Sequence, residues 1–539
     1  MIYWCKKCNI PIIDRNKCSL CGSELKKISN DIRPVFVEEK KVISIILQRD
    51  ITEASVWNKG SIHYIIDGEN VDVNYVDLFS NDDLIKIIRE KYFKYTTNFD
   101  ELINCNQFDY VMNDKYLSKF IMANEEHIKR LEYESQNYIK ELVNSIEKKD
   151  IISTVSFSGG KDSTVVSNLV RETYGNQQIF HLFGDTTLEF DTTYNYIERF
   201  KEENKFTPFI ISSSEQNFFD LCKEFGPPSR VERWCCTIFK TSAISENINL
   251  LGDSGFSLSF LGIRALESLQ RSNYEKTRYS SKISRQIVSM PIYEWATIEV
   301  WLYILYKKLD FNAAYTLGFE RVGCWCCPNN SSRSDFLMKL FFEKKYNYWH
   351  DILISYAKKA NIKDYDVYVN EGYWKSRRGL RGLQKKNTNL KKKECNLNDK
   401  ARIYFIEKPL DDSFIEFLKP FGSINIIFED EEYSIYEINY KSSNKGVMFK
   451  IYIYLESNTL KVIPVNIKDI VLFYKRIECQ IRKYEFCISC MACDSICPYG
   501  AINTVNGYHI DETKCKNCLK CIAKFIGGCL RVQIHKSKI

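Results

Sequence analysis

Apolar residues recur at helical spacing along 125-EEHIKRLEYESQNYIKELVNSI-146. Ile128, Leu131, Ile139, Leu142 and Ile146 predict one long amphipathic helix there. The period then changes. Three short apolar runs, 151-IISTVSF-157, 179-IFHLFG-184 and 258-LSFLGI-263, predict buried strands with helix-like segments between them. Strands alternating with helices over 151–370 predict an α/β domain with a mainly parallel sheet. Upstream, 76–150 reads as helical and 33–75 as strands. In 61-SIHYIIDGENVDVNYV-76 a DG turn separates two alternating runs, which predicts a hairpin. Downstream, 447-VMFKIYIYL-455 predicts a strand in a small mixed segment. The pattern divides the chain into 1–28, a strand and helix region 29–122, an α/β domain 123–374, a linker 375–399, a small α/β domain 400–477 and a cysteine-dense tail 478–539.

Composition changes the picture in three places. At 539 residues the chain exceeds what one core supports, and three or four domains are expected. Apolar residues (45%) and charged residues (27%) are in ordinary globular proportion, and no apolar run is long enough to span a membrane. The first residues, MIYWCKKCNIPII, lack a basic flank followed by an apolar stretch, so no signal peptide is read and a cytoplasmic protein is expected. The net charge of +7 permits an anionic partner without requiring one. Its densest part is 375-KSRRGLRGLQKKNTNLKKK-393, nine Lys or Arg with no acid, which reads either as a solvated linker or as a nucleic-acid contact.

Cysteine usage is the third place. Of 21 cysteines, sixteen fall into four groups of four, which points to metal or redox chemistry rather than disulfides. Two knuckles, 5-CKKC-8 and 18-CSLC-21, form a zinc-ribbon pattern in which Cys5, Cys8, Cys18 and Cys21 close a tetrahedral site. Iron of rubredoxin type would use the same thiolates. With so small an apolar core, the metal is expected to supply most of that segment's fold energy. In the tail, 487-CISCMACDSICP-498 resembles the bacterial ferredoxin signature, and 515-CKNCLKCIAKFIGGC-529 repeats it with a stretched last spacing and no following Pro. The crossing rule of that signature assigns Cys487, Cys490, Cys493 and Cys529 to one [4Fe–4S] cluster. It assigns Cys515, Cys518, Cys521 and Cys497 to the other. Such a module implies electron delivery, with an electron donor or acceptor protein as partner.

After the strand 151–157 comes 158-SGGKDS-163, a turn into a helix. It is not a Walker A loop, yet its physics is related. Gly159 and Gly160 let backbone N–H groups approach an anion, the helix dipole points at the same place, and Lys161, Ser158 and Ser163 add donors. This turn resembles the PP-loop of the adenine-nucleotide α-hydrolase-like ATP pyrophosphatases, a HUP-like fold. The resemblance continues in 184-GDTTLEFDTTYNYIERF-200 and in 262-GIRALESLQRS-272, which are similar to elements of the branch that includes phosphoadenylylsulfate (PAPS) reductases. It implies an adenine-nucleotide site with Lys161, Asp162, Asp185 and Arg264 in catalysis. Those four, with Ser158, Gly159, Gly160, Ser163, Thr186 and Arg271, would also hold the ligand, either ATP with Mg²⁺ or a sulfonucleotide, Arg264 and Arg271 facing its phosphate or sulfate group. Further on, 234-WCCTIFK-240 and 323-GCWCCPNN-330 resemble the way assimilatory adenylylsulfate reductases hold a [4Fe–4S] cluster. Cys235, Cys236, Cys324 and Cys327 are the matching positions, with zinc as the rival metal. Cys326 is left over as a thiol with access to bound sulfur.

Three functions compete. An ATP pyrophosphatase would adenylate an acceptor, such as a nucleic acid, which sulfur then attacks. A ferredoxin-fused sulfonucleotide reductase would release sulfite. A non-catalytic redox or nucleic-acid-binding subunit would do neither. The intact SGGKDS favours ATP. The reductase needs a mobile thiol, for which 394-ECNLN-398 offers Cys395, a partial match to that family's C-terminal segment.

Overall fold

Strands β1 (Ile2–Cys5), β2 (Ile10–Ile13) and β3 (Lys26–Ser29) form a small antiparallel sheet in the order β2-β1-β3. A second antiparallel sheet follows, of β4 (Arg33–Pro34), β5 (Val56–Asn58), β6 (His63–Ile66) and β7 (Glu69–Asp72). The DG turn joins β6 to β7 with Asp67 and Gly68 at φ 50° and 88°, the positive values a tight hairpin needs. The computed structural model describes the whole chain except residues 80, 97, 147–150, 176–178, 252–255, 378–387, 397, 442–445, 526 and 537–539. Residues 378–387 of the basic run therefore lie outside the described residues.

Chain contacts divide the protein into two units. The first comprises Met1–Ser213, Phe256–Tyr279 and Gln286–Leu353. Its main sheet holds β8 (Ile151–Ser156), β9 (Phe180–Asp185), β10 (Phe209–Ser213), β11 (Phe256–Leu261), β12 (Thr277–Tyr279) and β13 (Gln286–Ser289). The order is β10-β9-β8-β11-β13-β12, parallel throughout except for the edge strand β12. This is the expected α/β domain with a mainly parallel sheet. Its core gathers Val165, Val166, Leu169 and Val170 from one helix with Trp301 and its neighbours from another. The long helix predicted from 125 to 146 is present as Glu125–Ile146 and packs on Lys161–Tyr174.

The second unit comprises Ser214–Gly255, Ser280–Arg285 and Ile354–Ile539. Its main sheet is built from β14 (Lys391–Cys395), β15 (Asn398–Phe405), β16 (Ser423–Glu429), β17 (Tyr433–Asn439), β18 (Val447–Tyr454) and β19 (Thr459–Pro464). They pair in the order β14-β15-β19-β18-β17-β16, antiparallel in every case. The segment read as a small α/β domain is thus an antiparallel sheet, most of whose strands follow one another through short hairpin connections. The sheet also takes in Lys391–Cys395, residues read from sequence as the end of a linker. Helix Ile470–Phe486 spans the boundary drawn at 477, and one core joins sheet, helix and tail through Phe449, Ile477, Ile481, Cys493 and Ile522. The tail adds the short pair β20 (Ile502–Asn503) and β21 (His509–Ile510). Among the described residues no helix is long and apolar enough to cross a membrane.

Candidate functional site

The site begins where β8 ends. The chain turns through Ser158–Gly160 into the helix Lys161–Tyr174. Gly159 takes φ +69°, and a Cβ there would also meet Thr193 Cγ2 at 3.0 Å, so the turn requires glycine. The Ser158 amide donates to Ser163 Oγ at 3.2 Å, and that hydroxyl donates to the Gly160 carbonyl at 2.8 Å. These two bonds hold the turn closed against the helix N-terminus. The Lys161 amide donates to the hydroxyl of Tyr315 at 3.0 Å.

The strand order explains why the site lies here. From β8 the chain runs to β9 and β10 on one side, then crosses to β11 on the other. The crevice between the C-terminal ends of β8 and β11 is therefore a topological switch point, where open α/β sheets take their ligands. A cleft of about 200 Å³ opens at that point, lined by Ser158, Gly160, Lys161, Asp162 and Ser163 from the turn, and by Gly262, Glu267, Arg271, Tyr315 and Arg321.

Asp162 organises the charge. One carboxylate oxygen accepts from Lys161 Nζ at 2.8 Å and the other from Arg264 Nε at 2.6 Å. Burial alone would push this carboxyl up. The Lys161 and Arg264 charges outweigh it and hold the group below the usual carboxylate range. Arg264 also donates to the Trp295 carbonyl at 3.2 Å and to Thr297 Oγ1 at 3.3 Å. The arginine expected to face the nucleotide is thus 4% exposed, absent from the cleft lining, and set to orient Asp162. Arg271 does line the cleft, steered by its ion pair with Glu267. Arg321 and Tyr315 line it as well, and the sequence reading missed both. Arg321 stands three residues before Cys324, a position that could have drawn attention; Tyr315, in 312-NAAYTLG-318, carries no sequence signal.

Asp185 ends β9 and Thr186 follows it, but neither lines this cleft. The Asp185 carboxylate accepts from the Thr187 amide at 2.7 Å and from the Tyr194 hydroxyl at 2.8 Å. Thr186 donates to Glu189 at 2.9 Å and lies 3.3 Å from Cys324 Sγ. The buried carboxylate of Glu189, also missed, is 3.8 Å from the same sulfur. Cys324 and Cys327 close a tight turn, with the Cys327 amide on the Cys324 carbonyl at 3.2 Å, and Cys326 between them is buried. Cys235 and Cys236 belong to the second unit, where a π-helical turn, Cys236–Ser242, begins. There the Cys236 thiol is brought down to about 6 by a hydrogen bond with Cys235, against the effect of burial and with help from Lys240, Arg233 and Lys282. Cys395 ends β14, is 9% exposed, and pairs across the hairpin with Asn398.

In the first unit the sulfurs of Cys5, Cys8, Cys18 and Cys21 all lie within 4.8 Å of one another. Tetrahedral thiolates at about 2.3 Å from one ion stand about 3.8 Å apart. The Cys5–Cys21 and Cys8–Cys18 separations are 3.5 and 3.8 Å. These four residues can hold one metal ion. The ribbon is not free-standing: Ile2, Trp4 and Ile13 enter the main core, and Ser19 donates to the Ala123 carbonyl at 2.7 Å.

In the tail, burial pushes the Cys490 thiol up to about 12 and those of Cys521 and Cys529 to about 11. Neighbouring thiols add to this in two separate sets. Cys487 and Cys529 act on Cys490 and Cys493, whereas Cys497 and Cys518 act on Cys515 and Cys521. Within the tail the eight cysteines therefore gather as two groups of four, a donor chemistry that suits two metal clusters.

Residues 152–330 match the phosphoadenosine phosphosulfate reductase domain. An uncharacterized protein of Methanocaldococcus jannaschii is 26% identical over 470 residues, covering 69% of this chain and 95% of that protein. An adenosine 5'-phosphosulfate reductase of Oceanobacillus iheyensis is 29% identical over 189 residues, covering 34% of this chain and 74% of that enzyme. Among solved structures, the phosphoadenylyl-sulfate reductase of Candida auris in a phosphate complex aligns with TM-score 0.28 and 17% identity, over 37% of this chain and 95% of that one. With its PP-loop at the switch point of a parallel sheet, the chain carries a phosphoadenosine phosphosulfate reductase domain at residues 152–330.

Proposed function

We propose that this enzyme is an ATP pyrophosphatase that adenylates an acceptor for sulfur transfer. The acceptor oxygen attacks the α-phosphorus of ATP, pyrophosphate leaves, and a sulfur nucleophile then displaces AMP. The observation that carries this reading is the intact turn Ser158–Ser163 opening into a cleft walled by Arg271 and Arg321. A helix N-terminus, two hydroxyls, Lys161 and two guanidinium groups suit the several anionic oxygens of a polyphosphate. Arg264 positions the loop through Asp162 rather than touching the ligand. Cys5, Cys8, Cys18 and Cys21 would hold zinc. The two tail sets would hold [4Fe–4S] clusters that deliver electrons one at a time. Nucleic acid is the acceptor class to which the 375–393 run is suited.

A second reading, reduction of adenylylsulfate or its 3′-phosphate to sulfite, is favoured by the named reductases that share the domain. It needs a mobile thiol, and Cys395 sits buried in a hairpin of the antiparallel sheet. The discriminating experiment is competition binding on anaerobically purified protein, with Mg-ATP against adenylylsulfate and its 3′-phosphate. Preference for Mg-ATP is expected. Preference for a sulfonucleotide would overturn the pyrophosphatase reading and make the tail the reductant.

A further inference from the structure

Lys483 stands one helical turn before Cys487 on the helix Ile470–Phe486 and is 1% exposed. Its Nζ donates to the carbonyl of Cys521 at 3.1 Å, so the side chain reaches from the foot of one cysteine set to the backbone of the other. The rings of Tyr508 and Phe525 lie 5.8 and 5.9 Å from Nζ. None of the described contacts of Lys483 is to a carboxylate. A buried ammonium without an anion is strongly disfavoured, and native proteins rarely keep one.

The groups that surround it are cysteines, which become anionic once they ligate a metal. Cys493, Cys479, Cys521 and Cys529 all lie near enough to Lys483 to act on its charge. Cys479 belongs to neither set; its thiol donates to the Phe525 carbonyl at 2.8 Å. The remaining three come from both sets, Cys493 and Cys529 from one and Cys521 from the other. A neutral residue of similar length would fill the same space, so the placement of an ammonium here calls for a role of its charge.

We infer that Lys483 is the counter-charge shared by the two cysteine sets of the tail, and that it raises the reduction potential of both centres they hold. The inference rests on the reading of the tail as two iron–sulfur centres. A reduced centre carries one more negative charge than an oxidised one. A fixed positive charge in a low-dielectric interior therefore stabilises the reduced form, and net charge near a cluster is one of the protein's means of setting its potential. Because Lys483 touches one set and lies a turn from the other, it acts on both and brings their potentials up together.

The test uses full-length protein purified without oxygen, as wild type, Lys483→Gln and Lys483→Arg. Iron content is measured first, then both midpoint potentials by redox titration followed by electron paramagnetic resonance. In Lys483→Gln, full iron with both potentials shifted negative is expected, while Lys483→Arg keeps wild-type potentials. Full iron with unchanged potentials in Lys483→Gln would overturn the inference and leave the clusters standing. Iron lost from Lys483→Gln but kept in Lys483→Arg would also support it, because the charge alone distinguishes them; equal loss from both would assign the residue to packing and overturn it. Wild-type protein whose tail binds no iron would overturn both the inference and the cluster reading, whatever nucleotide the first unit binds.

Discussion

Arg264 Nε donates to Asp162 Oδ1 at 2.6 Å, across 102 residues of sequence, and the other oxygen of the same carboxylate holds Lys161. The cation expected to meet the ligand is thus committed to the loop that meets it. Removing one member of a buried pair strands the other, at about 3–5 kcal/mol. Arg264→Ala should therefore lower the melting temperature of the first unit and weaken nucleotide binding by about tenfold or more. Arg264→Lys should recover stability only in part, since an ammonium cannot reach Asp162, Trp295 and Thr297 together. Calorimetric melting and nucleotide titration on both variants check this.

Gly262 lies where β11 passes closest to the loop. A Cβ there would meet the Asp162 carbonyl carbon at 2.6 Å and its oxygen and the Ser163 amide each at 2.8 Å. All three are backbone atoms and cannot rotate away. Gly262→Ala should push the loop off the switch point, costing about 1–3 kcal/mol and abolishing nucleotide binding while leaving the tail's iron content unchanged. Nucleotide titration beside an iron assay reads both outcomes.

Tyr315 is a phenol used as an acceptor. It takes the Lys161 N–H, its ring packs 5.2 Å from that of Trp301, and Lys161 Nζ stands 5.7 Å from its face. Burial, and after it the Asp162 carboxylate, push its hydroxyl well up, so it keeps a proton to donate into the cleft. Tyr315→Phe preserves the ring contacts and deletes the hydroxyl. An amide left without its acceptor costs about 1–3 kcal/mol. Nucleotide affinity should fall about tenfold, with a smaller change in melting temperature than Arg264→Ala produces.

The parts of this architecture set by local pattern were legible in the sequence. The helix from Glu125, the DG hairpin and the strand leading into SGGKDS each follow from spacing within one segment. What escaped depends on pairing between distant segments. Nothing in 391–395 marks Lys391–Cys395 as a strand until β15 lies beside it, because three lysines are usual at an edge. Arg264 read as a ligand residue because its partner, Asp162, is fixed by the sheet order and not by sequence proximity. Tyr315 and Lys483 owe their importance to burial beside a loop and beside cysteines, which no spacing rule announces.

For the ribbon, the joined core alters what metal loss should do. Ile2, Trp4 and Ile13 pack into the main core whether or not a metal binds, so the first unit need not unfold with the metal. One zinc per ribbon is expected by elemental analysis. Cys8→Ser should lose that zinc and raise hydrogen exchange over residues 5–25, leaving β8–β11 protected. Collapse of protection throughout the first unit would show that the metal carries far more of the fold than this packing implies.

His181 supplies a pH dependence with a definite sign. It lies on β9, fully buried, with Nε2 2.8 Å from Ser167 Oγ and its ring 5.8 Å from that of Phe200. Burial first, and then the Arg171 charge, bring its pKa down from 6.5 to about 3 against the opposing effect of the Ile179 carbonyl. The folded state thus binds this proton less readily than the unfolded chain. Its contribution to stability is complete above about pH 6.5, falls by about 1.4 kcal/mol for each unit below that, and is lost as pH approaches 3. His181→Phe removes the titrating group while keeping a ring among Phe157, Phe200 and Phe209. At neutral pH the variant should melt lower, because it loses the Ser167 hydrogen bond and crowds the strand. As pH falls from about 7 to about 5, the wild type should lose stability faster, and the gap between the two melting temperatures should narrow. Parallel melting curves over that range would mean that His181 takes up its proton in the fold as readily as outside it, and that the β9 interior is open to charge.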